Sequence, residues 1–112
     1  MNNLNPSITT RAAGLLSEAA DLITTASDQV PSDRALGGLA RLTCEYLAKA
    51  RQHLATADCS AVPQLLIDAI TTIEAFRRLV GVVGPQPSAL AALAGTYVLD
   101  ATLALTEAEV PA

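Results

Sequence analysis

The stretch SALAALAGTYVLDATLAL, Ser88 to Leu105, is apolar almost throughout and carries a single charge, Asp100, well inside it. Its length and its alanine and leucine content predict a helix. At about 100° per residue, Leu90, Leu93, Ala94, Tyr97, Ala101, Ala104 and Ala108 fall on one face, and Ala92, Thr96, Leu99 and Leu103 on the other. A helix on the surface of a monomer turns a charged back to water; this one turns leucine and threonine.

Three environments compete for such a helix. A membrane span needs about 20 apolar residues, and an aspartate near its centre costs about 2.5–3.5 kcal/mol. The rest of the chain is polar on one side and has no place in lipid, so membrane association is not expected. An alanine-rich surface helix with a few exposed leucines is the plainer alternative. The third environment, which the reading favours, is a seam in which Ala92, Thr96, Leu99 and Leu103 meet a second copy. Symmetric dimers are the commonest oligomers. Asp100 then lies on the flank between the two faces, placed to pair with an arginine such as Arg77 of a neighbouring helix.

Outward from this segment the chain breaks into three more helices. GVVGPQPS, residues 81–88, is the strongest punctuation. Gly84 suits a helix C-terminus, Pro85 stops the helix, and Ser88 caps the next, which is predicted over 88–108. The preceding helix, over 60–83, carries the apolar series Val62, Leu66, Ala69, Ile73, Phe76, Val80, with Ile67 and Ile70 extending it round one side. Ser60 is its expected cap, because that choice leaves Pro63 in the first turn, where no N–H is required. Glu74 and Arg78, four apart, form an expected outer pair. Helix 2, over 32–57 with Ser32 as cap, buries Leu36, Ala40, Thr43, Leu47, Ala50 and Leu54. Helix 1, over 6–26 with Asn5 as cap and Pro6 in the first position, follows Ile8, Ala12, Leu15, Ala19, Leu22 and Ala26, widened by Leu16 and Ile23.

Four helices of roughly 30–37 Å with short connections predict one all-α domain over residues 1–112, an antiparallel up-down four-helix bundle. Two helical hairpins that complete a bundle only by pairing with a second chain are the alternative. Charged residues make up 16% of the chain, against about 25% in an average domain. A surface so poor in charge fits one that is partly covered by a partner. The net charge is −4, and seven scattered basic residues make no phosphate-tracking stripe, so no nucleic-acid partner is expected. The N-terminal segment does not read as a secretory signal, and one lysine against six arginines fits a high-GC bacterial genome.

Reactive clusters are sparse. His53 is the sole histidine, and Cys44, nine residues away, falls on the opposite side of the same helix. Cys44 and Cys59 are separated by a rise of about 18 Å, too far for a disulfide. Two reduced thiols fit a cytoplasmic protein, Cys44 beside the core and Cys59 in an exposed loop. Three Cys and His residues do not make a structural zinc site, and no Glu-x-x-His pair, phosphate loop or nucleophile elbow is present. No metal, cofactor or catalytic group is therefore expected.

The leading expectation is a non-catalytic, homodimeric interaction protein: an adaptor, regulator or accessory subunit with a possible further protein partner. The alternative is a bundle holding a small apolar ligand between its helices, with Tyr46, His53, Phe76, Tyr97 and Asp100 as the few shaped or polar groups lining the pocket.

Overall fold

The computed structural model describes residues 6–56, 58–81 and 84–109. Four helices follow one another: α1 (Pro6–Asp28), α2 (Arg34–Ala55), α3 (Val62–Val80) and α4 (Pro85–Glu109). Each packs on its neighbours in sequence, and α1 closes the ring against α4, its most extensive contact. The result is an antiparallel four-helix bundle 47 Å long and about 20 Å across.

The apolar stripes build this arrangement. On α2 the buried residues are Leu36, Ala40, Thr43, Leu47, Ala50 and Leu54, the series its sequence predicts. On α3 the predicted series is joined by Thr72. On α1 the buried positions are Ala12, Leu16, Ala19, Ile23 and Ala26, while Ile8, Leu15 and Leu22 are only partly covered. The inward face of α4 is Ala91, Ala94, Val98, Ala101 and Leu105. This is a rotation from the predicted face: Ala94 and Ala101 stay inside, Leu90, Tyr97 and Ala104 are half-buried, and Leu93 is exposed. The side chain of Ala108 lies outside the described residues.

Several ends also differ from expectation. Asp33 rather than Ser32 caps α2. Its backbone is extended and its Oδ1 accepts the Leu36 N–H at 3.1 Å. Helix α3 begins two residues after Ser60, with Ala61 at the cap position and Pro63 still in the first turn. Ser60 is engaged elsewhere, its hydroxyl donating to Asp58 Oδ1 at 2.9 Å. That helix ends at Val80, where the Gly81 N–H closes the last turn on the Arg77 carbonyl at 2.9 Å. Pro85 does not merely stop α3; it opens α4, since a proline in a first turn gives up no hydrogen bond, and Ser88 lies inside the helix. The predicted cap Asn5, and Ala57 at the predicted end of helix 2, are outside the described residues.

Two hydroxyls are buried where α2 meets α3. Thr43 Oγ1 and Thr72 Oγ1 lie 2.6 Å apart, and each also reaches a carbonyl of its own helix, Leu39 at 2.8 Å and Ala69 at 2.9 Å. Three contacts share two protons, so one hydroxyl donates across the interface and the other to its own backbone. The pair fixes the register of α2 against α3. Thr43→Val should lower stability by about 1 kcal/mol, and so should Thr72→Val, whereas the double variant should lose less than the two together. Urea titration of the four proteins measures the coupling; strict additivity would show that the hydroxyls do not interact.

Candidate functional interface

The outer side of the α3–α4 pair carries three of the six large hydrophobic residues exposed among those described. Ile67 on α3 and Leu99 and Leu103 on α4 are 55%, 51% and 57% exposed, and Leu93 is 42% exposed on the flank toward α1. Burying a leucine or isoleucine is worth about 1.5–3 kcal/mol, so a group of them left in water is a site in search of cover. Ala92 is half-buried and Thr96 exposed between them, the Thr96 hydroxyl turned back on the Ala92 carbonyl at 3.1 Å. All four seam positions therefore lie on the side of α4 away from the core, where their spacing puts them.

Beside this ridge runs a groove. A cleft of about 230 Å³ between α3 and α4 is lined by Ile70, Ile73, Ala92, Gly95, Thr96 and Leu99, with Glu74 and Arg77 at one end. Gly95 keeps it open: a Cβ there would stand 3.5 Å from Ile73 Cγ2, and any larger side chain would fill the floor. Arg77 donates to Glu74 at 2.9 and 3.2 Å. This replaces the expected Glu74–Arg78 pair with one three residues apart, and it takes up the arginine expected for Asp100. Asp100 itself is exposed.

The five residues named for a ligand pocket are not gathered. Phe76 is wholly buried in the core, Tyr46 and His53 are half-buried on α2, Tyr97 is half-buried on α4, and Asp100 faces water. The cavity at the α3 N-terminus is lined instead by Cys59, Val62, Pro63, Leu66, Thr102, Leu105 and Thr106. Its volume of about 50 Å³ is far below the roughly 300–1,000 Å³ of small-molecule pockets, and a wider cleft of about 510 Å³ is lined by Glu74, Arg77, Arg78, Gly81 and Ser88, none of the five.

His53 does find a carboxylate. The α2–α3 loop folds back, and Asp58 Oδ2 lies 3.6 Å from His53 Nδ1. The Asp58 carboxyl is held below its ordinary range by hydrogen bonds from the Ser60 hydroxyl and backbone N–H, with His53 a lesser cause. The order Ser–Asp–His puts the carboxylate in the middle. The serine proton therefore goes to Asp58, and the imidazole does not activate the hydroxyl as a general base would. This trio clasps a loop. Cys59 is half-buried rather than exposed, against the cavity just described, and Cys44 packs with its Sγ 3.4 Å from Thr24 Oγ1. Among the described residues no group of three or more His, Cys, Asp or Glu side chains is placed to hold a metal.

Fold and surface together define a class: an antiparallel four-helix bundle with a buried aliphatic core and exposed leucine and isoleucine on its α3–α4 side. The comparisons with known proteins take this no further, since no family model matches the chain and neither a curated protein nor a solved structure does. By length and composition α4 is also apolar enough to cross a membrane, and 28% of its most apolar window is buried inside the bundle.

Proposed function

We propose that this protein is a non-catalytic interaction module, an adaptor, regulator or accessory subunit of the cytoplasm, that works as a homodimer through the outer side of α3 and α4. The observation that carries the reading is the grouping of exposed aliphatic side chains there: Ile67, Leu99 and Leu103 are three of the six large hydrophobic residues exposed among those described. Placed singly such residues need no explanation. Placed on adjoining helices along one groove, they form the apolar centre that protein interfaces have. The low share of charge, 16%, supports the same conclusion.

The test is a charge in the seam. Leu99→Glu and Leu103→Glu each leave the core untouched and place a carboxylate where apolar cover is proposed. Both variants should be soluble, fully helical monomers when compared with wild type by sedimentation equilibrium. If they keep the wild-type mass in solution, the seam is not the interface.

A further inference from the structure

We infer that the groove between α3 and α4 binds a single-chain amphiphile with an anionic head, a fatty-acid-like molecule whose carboxylate lies on Arg77 and Arg78 and whose alkyl chain runs down over Gly95. Two clefts carry this. The first, about 230 Å³, is apolar along Ile70, Ile73, Ala92, Gly95 and Leu99. The second, about 510 Å³, is lined by Glu74, Arg77, Arg78, Gly81 and Ser88. Glu74 and Arg77 line both, so the clefts meet at that ion pair. Rising numbers on α3 face falling numbers on α4, because the helices run antiparallel. The clefts therefore follow one another along the bundle, apolar between Ile70 and Leu99 and cationic between Arg78 and Ser88. This site lies on the face proposed for the homodimer but does not rest on that reading.

The cationic end is complementary to a carboxylate. Arg77 engages Glu74 through Nη1 alone, and Arg78 makes no ion pair among the described residues. Two arginines against one glutamate leave one positive charge here, on a chain whose net charge is −4. The planar fork of arginine matches a carboxylate, and the half-buried Ser88 adds a hydroxyl beside it. Pro85 and Pro87 have no N–H to donate, so recognition rests on these side chains and not on the start of α4.

The other end suits a hydrocarbon chain and not a peptide. The amide groups of a peptide need hydrogen-bond partners when they leave water. Here the lining is aliphatic, the backbone groups are bonded within their helices, and the Thr96 hydroxyl is turned back on the Ala92 carbonyl at 3.1 Å. A saturated chain needs no such partners. From Ile70 to Arg77 the rise is about 10 Å, the reach of a medium-length chain. Both clefts open on water, at Thr96 and Leu99 and at Arg78, all exposed, so the occupant exchanges freely and is lost on gel filtration.

The probe is decanoate below its micellar concentration, with 1-decanol as the neutral-headed control. Isothermal titration of the wild-type protein should show one decanoate per chain, bound about tenfold more tightly than decanol. Arg78→Gln, at an exposed position, should remove that preference and leave decanol binding unchanged. Arg11→Gln, the same loss of charge at an exposed position on α1, should leave the preference intact. Gly95→Leu should weaken both ligands at least about tenfold by filling the groove, with circular dichroism as the check on folding. Equal affinity of the wild type for the two ligands, or a preference that survives Arg78→Gln, would overturn the pairing of head with arginine. Undiminished binding by folded Gly95→Leu would overturn the place of the chain. Sedimentation equilibrium with and without decanoate reads the dimer separately: a monomer that binds decanoate keeps this site without the homodimer, and protein that binds none in either state overturns the site. Protein that ignores decanoate but floats with phosphatidylglycerol vesicles would assign the arginines to a membrane surface instead.

Discussion

Phe76→Ala should lower the free energy of unfolding by about 3–5 kcal/mol, a large part of the about 5–15 kcal/mol that holds a typical domain together. Phe76 is the only phenylalanine in the chain and is wholly buried on α3. The effect should fall at the upper end of the range because the core is rich in alanine: Ala12, Ala19, Ala26, Ala40, Ala50, Ala69, Ala91, Ala94 and Ala101 are all buried. An alanine has no χ1 to turn, so such surroundings collapse poorly onto a hole, and the cavity term stays. Phe76→Leu, which keeps most of the volume, should cost under about 1.5 kcal/mol. Urea unfolding at one fixed protein concentration reads both, since association would make the midpoint depend on concentration. A loss below about 1.5 kcal/mol for Phe76→Ala would mean that the core is not packed as described.

The opposite change should also be felt. Ala94→Leu adds three carbons at a fully buried position on the inward face of α4. A Cβ placed on the neighbouring Gly95 would stand 3.5 Å from Ile73 Cγ2, an ordinary packing distance, so α4 is in contact with α3 at this level. Because Ala94 is wholly buried, α4 must shift or the leucine must leave its rotamer, at about 1–3 kcal/mol. Ala89→Leu, on an exposed position of the same helix, should change stability by less than about 0.5 kcal/mol. Equal thermal unfolding of the two variants would show that the inward face of α4 has been misassigned.

What the sequence made legible depends on how polar the back of each helix is. Helices α2 and α3 carry charge on one side and bury the other, so the period of their apolar residues fixes which side faces in. Helix α4 has almost no polar back, and its rotation is chosen by packing against α1 and α3 rather than by its own pattern. That is why Leu93 was expected inside and stands outside, while Val98 and Leu105, assigned to neither face, are core. The outward position of Thr96, Leu99 and Leu103 was legible all the same, since with Ala92 they recur at the spacing of one helical face. The groove beside it was not, because it belongs to two helices. Ile70 and Gly95 meet there only once α3 is known to lie next to α4. The helix starts were misplaced for a local reason, since Ser32 and Asp33, and likewise Asp58 and Ser60, compete for the same orphan N–H groups.

The outer side of α3 and α4 is proposed to be covered by a second chain in solution. Native mass spectrometry of the purified wild-type protein tests it most directly, because it reads stoichiometry and any retained small molecule at once. A species at twice the 11.5 kDa chain mass, with nothing added, is the result this account predicts. A bare monomer at every concentration would contradict it.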